Sequence, residues 1–259
     1  MKFGPIAIAD AVGSIAAHTI RADATIVKKG ATVTAELAAK LAEAGIAEIV
    51  AVRLEPGDID ENAAAARLAE RMVGDAIAAE LPFTGRVNMF ATQAGVLRID
   101  VAAIDAFNAV DEAITVATLP ALKAVVAGEL VATVKIIPYA VPQAMVEQAL
   151  DALGNTPPVS VAAYRPSNVA VISTLLPGLK PSVVDKTLRI MRDRLEPAEA
   201  VLAADKRVPH AAEPLAVAIA EQAAGAADII VVFGASAITD RRDVIPQALV
   251  EAGGRVEHL

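Results

Sequence analysis

Between Ile229 and Leu249 the chain reads IIVVFGASAITDRRDVIPQAL: an apolar run, a stretch of small and hydroxylic residues, a cluster of charges, and then a helical pattern. Small residues at Gly234 and Ala235, with hydroxyls at Ser236 and Thr239, let backbone N–H groups approach a ligand. The start of the next helix adds free amides of its own, and together these suit a phosphate. Arg242 supplies positive charge. Asp243, at the helix start, offers hard carboxylate oxygens of the kind that hold magnesium against phosphates, and Asp240 is a second carboxylate. A plainer reading has Asp243 only capping the helix and Arg241 only solvated. The loop carries neither GxGxxG nor a Walker sequence, so a standard dinucleotide or P-loop site is excluded.

These residues need a frame. NVAVISTLL, EAVLAAD, ADIIVVFG and RVEHL read as short strands separated by helical stretches, and such alternation predicts a mostly parallel sheet covered on both sides. Ligands of such sheets bind at the carboxyl ends of the strands, which is where Ser173 and Thr174 fall. In the helix that begins near Pro181, Val184, Leu188, Met191 and Leu195 share one face and should pack on the sheet. Asp185, Lys186 and Thr187 lie in its early turns, near the same mouth, and Lys180 can reach it.

Gly154, Asn155, Pro157 and Pro158 concentrate breakers, which predicts a domain boundary between residues 155 and 156. Upstream, VKKGATVT reads as a tight turn around Lys29 and Gly30. Thr34 caps a helix that Gly45 ends, and IAEIVAVRL follows as a strand. Asp58 with Glu61 has the spacing of a capping box for the next helix. From Leu81 to Pro142 the pattern is irregular, with VATVKIIPYAVP as a buried strand closed by Pro138. Thr84-Gly85-Arg86-Val87-Asn88 forms a polar loop that suggests a cleft between domains.

Composition narrows the function. The chain has 259 residues, 55% of them hydrophobic and 21% charged, enough for one large or two ordinary globular domains. Aromatics are 3% and the net charge is −8, which leaves neither stacking platforms nor electrostatic attraction for nucleic acid or anionic lipid. With no Cys there is no thiolate metal site or thiol nucleophile, and His18, His210 and His258 form no zinc motif. The first residues lack a secretory h-region and no stretch is apolar enough to span a membrane, so a cytoplasmic location is expected.

Arg242-Asp243-Val244-Ile245-Pro246-Gln247-Ala248, after a glycine loop, resembles the GGTG…RDVxPxA signature of the molybdopterin-binding family, which includes molybdopterin adenylyltransferases and molybdenumtransferases. Val169-Ala170-Val171-Ile172-Ser173-Thr174 resembles the first strand of that domain in the molybdenumtransferases. LAEAGIAEIVAVRLEPGD is similar to their N-terminal arm. AHTIR and VATVKIIPYAV resemble bacterial proteins in which such a region precedes a molybdenum cofactor cytidylyltransferase-type domain.

The resemblance implies an α/β chain: a C-terminal three-layer α/β domain with a mostly parallel sheet, residues 156–259, preceded by a smaller mixed α/β region, residues 1–155. It implies molybdopterin as ligand, with Ser173, Thr174, Gly234, Ala235, Ser236, Thr239, Asp185 and Thr187 as binding residues. Asp243, Asp240 and Arg242 would be catalytic, and Asp243 the magnesium ligand, if ATP-dependent adenylyl transfer to the pterin phosphate occurs. It further implies a homo-oligomer and a PxDPGN-like loop after the last strand, supplied by a longer polypeptide or by another part that completes the site. The departures favour a different role. Gly234-Ala235-Ser236-Ala237 stands for GGTG, Leu175-Leu176-Pro177 replaces Gly-Asp-Glu, and SxMDGYA is absent. A non-catalytic carrier that presents the pterin to a nucleotidyltransferase is the alternative.

Overall fold

A computed structural model of the chain describes all residues but Ala24 and Pro166, and it divides into two units, Met1–Ala163 and Tyr164–Leu259. The first contains β1 (Lys2–Ala7), β2 (Ile15–Ala16), β3 (Ile20–Ala22), β4 (Thr25–Val27), α1 (Ala35–Glu43), β5 (Glu48–Arg53), β6 (Asp58–Asp60), α2 (Glu61–Met72), β7 (Ile77–Ala79), β8 (Arg86–Ala91) and β9 (Gly95–Ile99). It continues with α3 (Val101–Asn108), β10 (Ile114–Thr118), β11 (Ala124–Val125), β12 (Leu130–Ile136), β13 (Ala140–Pro142), α4 (Gln143–Ala152) and β14 (Val159–Ala163). Its sheets are small, in the orders β1-β5-β2, β10-β12-β8-β7, β11-β9-β14, β13-β6 and β3-β4, and the strands pair antiparallel throughout.

Local chemistry sets several of these elements. Thr34 Oγ1 accepts from the Leu37 N–H to start α1, and Gly45 takes φ +80° just beyond its end. The cap of α2 is Asp60, whose Oδ1 accepts from the N–H groups of Asn62 and Ala63, each at 3.0 Å. The capping box expected of Asp58 and Glu61 therefore does not form. Asp58 instead holds the N-terminal ammonium at 2.7 Å and the Glu55 N–H at 2.8 Å, contacts that only the folded chain brings together.

Two aliphatic cores lie within this unit. The larger joins α2, α3 and α4 to the sheets of β8, β9, β10, β12 and β14 through Leu68, Met72, Met89, Leu97, Phe107 and Ile136, all fully buried. Each such side chain contributes about 1.5–3 kcal/mol by leaving water. The smaller surrounds Leu41, Val33 and Ala51.

The second unit is simpler. Here β15 (Asn168–Leu175), α5 (Pro181–Leu195), β16 (Val201–Pro209), α6 (Ala212–Ala223), β17 (Ile229–Phe233) and α7 (Val244–Glu251) follow in turn, and β15 pairs in parallel with both β16 and β17. Alternation along β15 places Val169 and Val171 against Val184, Leu188, Met191 and Leu195 of α5. Ile172 points the other way, to Leu215 and Ile219 of α6 and Ala248 of α7.

Three expectations change. The chain as a whole is mixed α/β with mostly small antiparallel sheets, and among the described residues parallel pairing between strands is confined to β16-β15-β17. The N-terminal unit is the larger one, and the division falls after Ala163 because β14 pairs with β9, and Arg71 holds the Gly154 carbonyl at 2.9 Å. Arg255–Leu259 is not a strand, so the second sheet has three strands and not four. Among the described residues no helix is long and apolar enough to cross a membrane.

Candidate functional site

The carboxyl ends of β15 and β17 bring Ser173 and Thr174 beside the loop that starts at Gly234. Thr174 is almost fully buried, and its Oγ1 accepts the Ala235 N–H at 2.8 Å. The same oxygen lies 2.9 Å from His210 Nδ1 and 3.4 Å from the Phe233 carbonyl. On the far side of the imidazole, Nε2 lies 2.9 Å from Ser236 Oγ. A threonine hydroxyl has a single proton. All of its contacts are met together when Nδ1–H donates to Thr174 and Thr174 donates to the Phe233 carbonyl. That arrangement leaves Nε2 as an acceptor for the Ser236 hydroxyl. Ser236 is exposed, and its oxygen keeps lone pairs for a ligand N–H or O–H.

His210 is the residue that sequence reading missed. It stands immediately after β16, at the same edge of the sheet as Thr174, and its N–H bonds the Leu175 carbonyl at 2.9 Å. The signal was its place one residue beyond a strand end, which matters only once β16 is known to neighbour β15.

Gly234 has a packing reason to be glycine, since a methyl there would sit 2.6 Å from Ile245 Cδ1 and 2.9 Å from the Ser236 carbonyl. Ser173 faces the opposite side of β15 from Thr174. Its register partners are Arg207 and Phe233, it is 3% exposed, and its hydroxyl is buried without a hydrogen-bond partner among the described residues. A buried hydroxyl left unpaired costs about 1–3 kcal/mol. Ser173→Ala is accordingly expected to raise stability by about 1 kcal/mol in a urea titration.

The charged residues are engaged among themselves. Asp243 Oδ2 accepts from the Thr239 N–H, the Thr239 hydroxyl at 3.0 Å and the Asp240 N–H at 3.0 Å. Asp240 holds the Arg242 guanidinium at 2.8 Å and the Arg242 N–H at 2.6 Å. Asp243 occupies the N-cap position of α7 without a side-chain bond into the helix, so its carboxylate folds the loop rather than capping. Among the described residues no group of three or more His, Asp or Glu side chains is placed to hold a metal. Asp243 Oδ2 and both Asp240 oxygens are committed within the loop, and Asp243 Oδ1 carries no hydrogen bond among the described residues.

Hydrogen bonds from the Thr239 and Asp240 amides hold the Asp243 carboxyl below its ordinary value of 3.8, and the Arg242 side chain does the same for Asp240. A lowered carboxyl pKa stabilises the folded loop above the unfolded value, and that contribution is lost as pH falls through the folded one. The Thr239 and Asp240 amide signals should therefore titrate in NMR with a midpoint below 3.8.

The two remaining sequence candidates lie on α5. Asp185 binds Arg207 at 2.8 Å, and Arg207 also meets Asp205 at 3.1 Å. Thr187 donates to the Val183 carbonyl of its own helix at 3.1 Å. Neither makes a hydrogen bond to the Gly234–Ser236 loop.

Comparison with protein-family models, curated proteins and solved structures finds no match to the chain.

Proposed function

We propose that the second unit has the molybdopterin-binding fold and binds the phosphate-bearing pterin at the carboxyl edge of its parallel sheet. In this reading it acts as a non-catalytic module that presents the pterin to a nucleotidyltransferase. The observation that carries this reading is the junction of the two motif-bearing segments. Thr174 of VAVIST fixes the first amide of the Gly234 loop and, through His210, the Ser236 hydroxyl. The Ser236 oxygen, held in place by this network, suits the donor groups of a pterin ring.

Presentation is favoured over adenylyl transfer because the carboxylates that would carry magnesium are bonded within their own loop. A homo-oligomer and a cytoplasmic location belong to the same proposal. An anaerobic fluorescence titration with molybdopterin, with and without magnesium ATP, tests it. Saturable binding with no ATP consumption is expected. Consumption of ATP would restore the transferase reading, and failure to bind in a chain extended beyond Leu259 would overturn both.

A further inference from the structure

Within the first unit lies a cavity of about 380 Å³ whose lining includes Lys29, Glu61, Thr84, Lys135 and Tyr139. Four separate pieces of chain build it. Glu61 opens α2, and its N–H bonds the Tyr139 carbonyl at 2.9 Å. Lys135 comes from β12 and donates to the Thr84 carbonyl at 2.6 Å. The Tyr139 hydroxyl donates to the Ala17 carbonyl at 2.7 Å, which fixes its ring, and the Lys29 ammonium stands 5.7 Å from the centre of that ring.

The turn over Glu61 is held under constraint. Thr84 and Gly85 both have left-handed backbone angles, φ +46° and +70°, and the Gly85 N–H donates to Asn62 Oδ1 at 2.9 Å. A methyl on Gly85 would lie 2.6 Å from Glu61 Oε2 and 2.8 Å from the Ile136 carbonyl, so only glycine permits this approach.

The charges in this cavity are close but not joined. Lys135 Nζ is 3.9 Å from Glu61 Oε2, beyond hydrogen-bond reach, and the Glu61 side chain is only 13% exposed. Burial pushes the Glu61 carboxyl up and the Lys135 ammonium down, and in each case the neighbouring opposite charge only partly offsets it. The Lys135 ammonium spends a hydrogen bond on the Thr84 carbonyl and does not close on Glu61. Two ammonium groups and one carboxylate held apart around an open space instead leave room for a ligand between them.

We propose that this cavity binds a small phosphate monoester, its oxyanion between Lys29 and Lys135 and a neighbouring hydroxyl donating to Glu61. Two ammonium groups match a phosphate dianion, and the carboxylate selects for a donor beside it. The site lies wholly in the first unit and does not depend on pterin binding by the second.

Isothermal titration calorimetry of the full chain with glycerol 3-phosphate, methyl phosphate and glycerol tests this. Glycerol 3-phosphate should bind saturably and more tightly than methyl phosphate, and glycerol should not bind. Lys135→Met, and separately Lys29→Met at an exposed position where folding is not at risk, should each weaken binding about tenfold or more. Glu61→Gln should abolish the preference over methyl phosphate, and Gly225→Ala in the other unit should change nothing. No saturable binding, undiminished binding in Lys29→Met, or loss of binding in Gly225→Ala would overturn the proposal.

Discussion

Gly95→Ala is expected to lower stability by about 3 kcal/mol or more, the high end of overpacking, because the added methyl has nowhere to go. It would overlap the Ala162 carbonyl oxygen and lie 2.6 Å from Val161 Cγ1, and backbone atoms do not yield as a flexible side chain does. Gly95 opens β9 and pairs with Ala163 of β14 on one side and Val125 of β11 on the other. Relief requires β9 and β14 to part, and that opens the core around Leu97 and Val161. Against a typical total of about 5–15 kcal/mol the loss is large. The histidines report it unit by unit in proton NMR during a urea titration: His18 should reach its unfolded position early and His210 at the wild-type concentration. Gly225→Ala, where the nearest atom to a new methyl is 3.5 Å away, is the control and should stay within about 0.5 kcal/mol.

Thr174→Val should abolish the candidate site while leaving side-chain size nearly unchanged. The part-buried Ala235 N–H loses its acceptor and His210 Nδ1 loses the partner that sets its tautomer, at a combined cost of about 1–2 kcal/mol. The loop then has nothing to hold its first amide, and pterin affinity should fall about tenfold or more in the anaerobic titration. Thr174→Ser retains the hydroxyl and should recover most of the binding. Wild-type affinity in Thr174→Val would show that the loop is not anchored through this residue, and the proposed pterin site would lose its main support.

What could be read in advance follows a physical division. The Thr34 cap, the Gly45 terminus and the Val184-Leu188-Met191-Leu195 stripe depend on residues a few positions apart, and the structure contains all of them. Features set by distant partners were not legible. The unit boundary moved because Val159 pairs with Ile99. Asp58 serves the chain's own N-terminus in place of the helix beside it. At the site, Thr174 was legible as a strand end, but its link to His210 requires β16 to lie next to β15. The bonds that Asp243 and Asp240 make were not legible, because their donors lie within a loop whose path no periodicity encodes. Thr84–Asn88 stood out in the sequence as a polar, glycine-containing loop. Only Thr84 and Gly85 form a turn, beside Glu61 in the first unit, and Arg86–Asn88 begin β8.

The central position of β15 has a consequence during synthesis. It is the first strand of its sheet to leave the ribosome, and residues Val169 to Ile172 are all but fully buried in the finished unit. Its partner on one side, β17, ends only at Phe233, so at about 5–20 residues per second one edge of this aliphatic strand stays unpaired for several seconds. An apolar strand with a bare edge is a template for pairing between chains. The nascent second unit is thus most exposed to aggregation in the interval between α5 and β17, when α5 can shield one face of β15 but nothing yet closes that edge.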